Sequence, residues 1–141
     1  MQGKDREMSG HVIVCGFGIL GQKVVDVLAE HGMKFIVIDN DPKVANIIRE
    51  YGYDVIEGDA TRSRTLRLAG IERAKAIAIA LDDDAKNLFT VLTARDLNKD
   101  IFIAARANDE FVRSKLIEAG ADYVVMPQKA ASKEIADEIL K

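Results

Sequence analysis

Six short, β-rich apolar runs alternate with segments of helical character from residue 11 to the end of the chain, and this alternation constrains the fold more than any other feature. The runs are His11-Cys15 (HVIVC), Phe35-Asp39 (FIVID), Asp54-Glu57 (DVIE), Lys75-Leu81 (KAIAIAL), Ile101-Ala105 (IFIAA) and Asp122-Met126 (DYVVM). Most are continuously apolar, the pattern of strands covered on both faces. Between them lie helical segments at Ile19-His31, Pro42-Tyr51, Thr61-Ala69, Asp84-Leu97 and Asp109-Ala119, with a last one from about Lys129 to Lys141. Gly32, Gly52, Gly70 and Gly120 follow helical stretches where a left-handed cap suits glycine, and Pro42 sits where a first helical turn accepts proline. Strict alternation specifies an open, mostly parallel, doubly wound α/β sheet, because right-handed crossovers place helices on both faces. The expected order of the six strands is 3-2-1-4-5-6.

With 141 residues, 48% of them hydrophobic, the chain suffices for one domain with its own core. Residues 1–9 are polar and unpatterned and read as a flexible arm; residues 10–141 read as the domain. One cysteine excludes an internal disulfide framework, and two histidines beside it make poor zinc ligation. Apolar runs fall far short of the ~20 residues of a membrane span, and MQGKDREM is neither signal nor transit peptide, so the expectation is a cytoplasmic chain. A net charge of −3 with no lysine-rich arm argues against nucleic acid as a partner. The one basic stretch, Arg62, Arg64, Arg67, Arg73 and Lys75, reads as the solvated face of a surface helix, with phosphate or subunit docking the other possibility.

The first strand runs directly into Gly16-Phe17-Gly18-Ile19-Leu20-Gly21, a GxGxxG that opens the first helix. In a Rossmann-like sheet the three glycines serve a tight turn, a close approach of backbone to a pyrophosphate, and close packing of helix on strand. The amides at the helix start then face the anion. Asp39 ends the second strand, 18 residues beyond Gly21, where a carboxylate can bind the ribose hydroxyls of an adenosine. With Asn40 and Asp41 following and no arginine nearby in sequence, a 2′-phosphate would be repelled, which favours NAD(H) over NADP(H).

Ligands in such sheets bind outside the carboxyl ends of the strands. Asp59, Ala60 and Thr61 after the third strand, Leu81 and Asp82 after the fourth, and Arg106 after the fifth are therefore further candidates. Asp59 or Thr61 would serve equally as the N-cap of the next helix. Arg106, emerging from an apolar strand, suits a ligand phosphate or else an ordinary ion pair. Asp82, Asp83 and Asp84 place negative charge at a helix N-terminus, which stabilises the helix without any ligand.

Together GFGILG, the acid in VIDND, the GDAT after the third strand, ALDDDAKN and IAARAND resemble the nucleotide-binding domain of the RCK/KTN (TrkA-N-like) family of regulators of potassium channels and Trk and Ktr transporters. The resemblance covers about residues 10–141. It implies a non-enzymatic sensor that binds NAD(H), or ATP, ADP or AMP, assembles as homodimers and often octameric rings, and acts on the gate of a membrane subunit. It also implies roles for residues: Gly16, Gly18 and Gly21 with the amides of Ile19 and Leu20 at phosphates, Asp39 at the ribose, Asp59 and Ala60 beside the adenine, and Arg106 at the distal phosphate or nicotinamide side. Phe17, Asn40 and Leu81 fall in the same candidate site. Where ATP-responsive relatives carry an arginine this chain has Ile19, and where they carry an acid after the proline it has Gln128, which tilts the reading toward NAD(H).

The competing class is an NAD-dependent oxidoreductase or its cofactor-binding fragment. It would need a proton donor near the nicotinamide and a substrate pocket. No Tyr-x-x-x-Lys occurs; His11 begins a strand at the far end from the crevice, His31 ends a helix, and Cys15 reads as a small buried residue. Ile135, Ile139 and Leu140 recur at helical spacing on the last helix, so self-association through that helix and those near the fourth and fifth strands is expected, with burial inside one subunit as the alternative.

Overall fold

The computed structural model describes residues 8–141. Among them six strands and six helices alternate: β1 (Val12–Cys15), α1 (Ile19–Glu30), β2 (Phe35–Asp39), α2 (Pro42–Glu50), β3 (Val55–Glu57), α3 (Ser63–Leu68), β4 (Ala76–Ile79), α4 (Asp84–Leu97), β5 (Phe102–Arg106), α5 (Glu110–Ala119), β6 (Tyr123–Val125) and α6 (Pro127–Ile139). The strands form one sheet in the order β3-β2-β1-β4-β5-β6, and every pairing is parallel. The sequence-based order is therefore found, and "mostly parallel" becomes wholly parallel.

The chain winds outward from β1 to β3, then returns across β1 to begin β4. That reversal of direction puts α1 and α2 on one face and α3, α4 and α5 on the other. Alternation along β1 shows the division. Val12 and Val14 pack with Val25 of α1 and with Ala45 and Ile48 of α2. Ile13 and Cys15 pack with Leu66 of α3, Val91 and Ala94 of α4 and Leu116 of α5. Both faces of β1 are thus buried, which is why its sequence is apolar throughout. Burial also pushes the Cys15 thiol far above its ordinary range, so it stays an inert core residue.

Over β4, β5 and β6 the first face is different. Val12 is in register with Ala76, and Ala76 with Phe102, so these share a face; Phe102 is 51% exposed and Tyr123 on β6 is 58% exposed. The helix that could cover them, α6, buries none of its residues. Among the described residues nothing buries Ile135 and Ile139, which are 63% and 76% exposed.

Element ends differ modestly from the sequence reading. The third crossover helix is shorter than Thr61-Ala69, because residues 59–62 form a turn closed by the Asp59 side chain. The last helix starts at Pro127, two residues earlier than expected, with the proline in its first turn. Gly32, Gly52, Gly70 and Gly120 all have positive φ, as their positions after helices suggested. Most of the expected N-terminal arm, residues 1–7, lies outside the described residues. Met8 and Ser9 are held: their carbonyls accept hydrogen bonds from Arg73 Nε (3.0 Å) and Lys34 Nζ (2.6 Å). Arg73, read from sequence as part of a solvated basic face, is a clamp on the entering chain.

Candidate functional site

At the carboxyl ends of the strands, beside the β1/β4 reversal, the glycine loop is built by constraints that differ at each glycine. Gly16 takes φ +94°, and a side chain there would press on the Ala80 carbonyl and the Leu81 side chain at the end of β4. Gly21 lies on the first turn of α1, where a Cβ would overlap the Gly16 carbonyl oxygen. Gly18 has neither constraint: its φ is −76° and a Cβ would meet nothing within 4 Å. Folding does not require glycine at this position.

Gly18 is the N-cap of α1 and offers no side-chain acceptor, so the first amides of the helix carry no side-chain cap. Unpaired amides at a helix start suit an anion. Ile19, 84% exposed, and the half-buried Leu20 supply these amides. Phe17 is buried against Tyr51, with ring centroids 6.3 Å apart, and its amide donates to Asp39 Oδ2 at 3.0 Å. Gln22 Nε2 donates to the Phe17 carbonyl at 3.2 Å. The Asp41 amide donates to Asp39 Oδ1 at 3.0 Å. Both carboxylate oxygens are therefore oriented by backbone while each keeps lone-pair capacity for a diol.

Asp39, Asn40, Asp59, Ala60 and Leu81, all singled out from sequence, line one cleft of about 120 Å³ together with Ile38, Gly58 and Lys86. The geometry brings together the ends of β2, β3 and β4. Asp59 does not cap α3, whose N-cap is Arg62; it accepts from the Thr61 hydroxyl at 2.7 Å and the Thr61 amide at 2.9 Å. Those two bonds hold its carboxyl below the ordinary aspartate value, with Lys86 and Arg62 adding to the effect. Thr61 itself lies on that turn.

Arg106 stands apart from this cleft, at the end of β5. Its Nη1 pairs with Asp82 Oδ1 at 3.2 Å, and its Nε is buried without a hydrogen-bond partner. The acidic run divides its tasks: Asp83 caps α4 by accepting from the Lys86 amide, Asp84 accepts from the Asn108 amide, and Asp82 faces the arginine.

Two contributors lie in the ALDDDAKN motif but were not singled out from sequence. Lys86, in the first turn of α4, lines the cleft opposite the Asp59 turn that follows β3. Asn87 is fully buried: its Oδ1 accepts from the Leu81 amide, while its Nδ2 donates to the carbonyls of Leu81 and Arg106. It ties the ends of β4 and β5 together. A larger recess, about 540 Å³, lies at the opposite end of the sheet around Arg95, but that guanidinium is spent on the carbonyls of Lys99, Ile101 and Gly120 and on Asp122.

The remaining candidates for chemistry are structural. His11 is fully buried, with Nε2 2.7 Å from the Ala69 carbonyl, and His31 Nδ1 lies 2.9 Å from the Val27 carbonyl of its own helix. Among the described residues no cluster of His, Cys, Asp and Glu could hold a metal ion, and no helix is long and apolar enough to cross a membrane.

Comparison with known proteins places this geometry. Potassium channel protein 1 of Methanocaldococcus jannaschii is 36% identical over 138 residues, covering 96% of this chain and 41% of the relative. This chain thus spans about two fifths of the length of that relative. The TrkA-N domain of the inner membrane protein ybaL of Escherichia coli superposes with a TM-score of 0.91 at 26% identity, covering 96% of this chain and 99% of that one. The GsuK channel bound to NAD matches with a TM-score of 0.78 at 25% identity, covering 84% of this chain and 22% of the channel. The Kef C-terminal domain of Shewanella denitrificans in its AMP-bound form matches at 0.81 and 27%, covering 92% and 78%. A structure of GsuK bound to ADP lies in the same group, at 0.78 and 25%, covering 85% and 32%. The TrkA-N domain model itself matches residues 12–127, from the first residue of β1 to the first of α6, and the chain belongs to the TrkA-N domain family.

Proposed function

We propose that this domain is a non-enzymatic sensor that binds NAD(H), or failing that an adenine nucleotide, in the crevice between the glycine loop and Asp39, and transmits its occupancy to a potassium channel or transporter. The observation that carries the reading is Gly18, a glycine the fold does not need, set at the uncapped start of α1. Structural relatives bound to NAD, ADP and AMP support the ligand class. Relatives named as potassium channel proteins support the transport role. The residues fit an adenosine nucleotide. Phosphate would be held by the amides of the glycine loop, ribose by Asp39, and the adenine side by the cleft at Asn40, Asp59, Ala60 and Leu81.

Self-association belongs to the same reading. Helix α6 buries nothing, Phe89 and Leu92 of α4 are 57% and 46% exposed, and Phe111 of α5 is 70% exposed. Apolar surface on three helices suits a homodimer or a larger ring.

A melting series tests the ligand. NADH at a hundredfold excess over Kd stabilises the native state by ~2.7 kcal/mol, a midpoint rise of roughly 8–14 °C for a domain of this size. Asp39→Ala removes a charge-assisted contact and weakens NADH by about 10- to 150-fold, ~1.5–3 kcal/mol. Absence of a shift with NADH, NADPH, ATP, ADP and AMP alike overturns the ligand assignment. Steady oxidation of NADH with a panel of carbonyl compounds overturns the non-enzymatic reading in favour of an oxidoreductase.

A further inference from the structure

Arg106 ends β5 at the carboxyl end of the sheet, and it is underused. Of its five N–H donors a single one, on Nη1, has a partner, Asp82, and Nε is buried without any. Its position is fixed from behind, since Asn87 Nδ2 holds the Arg106 carbonyl at 3.0 Å. Asp82, by contrast, is free at its other side: its side chain is 90% exposed while that of Arg106 is 21% exposed. Asp82 follows Leu81, which lines the adenosine cleft and touches the space beside Gly16. A carboxylate of this chain therefore neutralises the arginine at the mouth of the crevice.

The strand order says which part of a ligand this concerns. Asp39 belongs to β2, the cleft to the ends of β2, β3 and β4, the glycine loop to β1, and Arg106 to β5, one strand beyond β4 and outside the cleft. Two strand spacings, about 9–10 Å, separate β1 from β5. A first phosphate held at the loop stops short of Arg106. Further phosphates extend toward it and toward Asp82, whose negative charge repels them and whose bond to Arg106 they must break. A dinucleotide shares its two phosphates with ADP and carries ribose and a nicotinamide ring where ATP has its third.

We propose that Asp82 is a specificity-determining residue: it occupies the anion seat of Arg106 and biases the crevice toward AMP and NAD(H) over ATP. The inference rests on the nucleotide reading above. When Asp82 is removed, Arg106 becomes available to the longer phosphate chain, and charge-assisted bonds to phosphate replace the internal pair.

Binding of AMP, ADP, ATP and NADH, measured by calorimetry in the presence of a chelator, to the parent, Asp82→Ala, Arg106→Gln and the double variant tests this. Asp82→Ala is expected to tighten ATP relative to AMP by about tenfold, to leave NADH nearly unchanged, and to fold normally because the side chain is exposed and is not the cap of α4. In the Arg106→Gln background the same substitution is expected to give less than about a third of that gain. An unchanged ATP to AMP ratio in Asp82→Ala overturns the inference while AMP binding leaves the site reading intact. An equal gain without Arg106 also overturns it, since loss of a negative charge alone would then be the cause. Failure of the parent to bind AMP and NADH overturns the site reading and the inference together.

Discussion

A methyl group added at Gly21 would overlap the Gly16 carbonyl oxygen, whereas one added at Gly18 would meet open space. The two glycines therefore answer to different demands. Gly21→Ala is expected to destabilise the domain by about 1–3 kcal/mol, since backbone must shift to admit the side chain. Gly18→Ala is expected to change stability by less than about 1 kcal/mol, because its backbone conformation suits any residue. Gly18→Val is expected to weaken nucleotide binding strongly with an unaltered fold. Denaturant titration beside NADH binding checks both; a large loss of stability in Gly18→Ala would make that glycine structural. Asn87 is the buried counterpart. Asn87→Ala leaves the Leu81 amide and the carbonyls of Leu81 and Arg106 without their bonds, at a cost of about 1–3 kcal/mol. It is also expected to weaken ligands that reach Arg106, though Asn87 itself faces no ligand.

Among the elements, strands were the most legible in sequence, because a buried parallel strand is apolar along its run, as VIVC, FIVI and AIAI are. Helix boundaries were legible where a following glycine or Pro42 marked them, and missed at Pro127 and where a side chain made a turn instead, as Asp59 does before α3. Asp39 and the glycine loop could be placed because they are linked by one βαβ unit of fixed geometry. The Asp82 and Arg106 pair could not, because its members meet only through the pairing of β4 with β5, and neither could Lys86 or Asn87. The C-terminal helix stands between these cases. Its periodicity was readable, but whether one subunit would bury it was not, since that depends on where the chain goes after Val125. Lys129 Nζ bonds Glu110 Oε1 at 2.6 Å, fastening the base of α6 to α5 and holding the Glu110 carboxyl below its ordinary value. The remainder of α6 is unsupported. Ile135→Asp with Ile139→Asp is expected to leave the melting midpoint of the dilute protein within a few degrees and to lower the mass seen by light scattering at micromolar concentration. A parent that is monomeric under those conditions, with and without NADH, removes α6 from the interface.

For the whole molecule, His11 is one contributor to stability on the acid side. The ring is enclosed by Ala69 and Gly70 after α3, with Arg73 and Lys34 the nearby charges, and burial lowers its pKa below 6.5, the two cations adding to the effect against the Ala69 bond. The unfolded chain then binds a proton more readily than the native one. This contribution to stability is complete above about pH 6.5 and is lost progressively as the pH falls through 6.5 toward the lower native value. His11→Gln, which can still donate to Ala69, is expected to flatten the pH dependence of the midpoint in that interval; an unchanged slope would assign acid lability to other groups. Burial also grades the molecule by how its amides meet solvent. Those of β1, with no exposed residue from His11 to Phe17, exchange hydrogen only through global unfolding, so bound nucleotide slows them by the full binding free energy. Helix α6, thirteen residues long with none buried, is near the length at which a helix in water is marginal. Its amides exchange by local fraying that nucleotide alone does not suppress, and their protection rises with protein concentration, which makes the deuterium uptake of one helix a direct gauge of assembly.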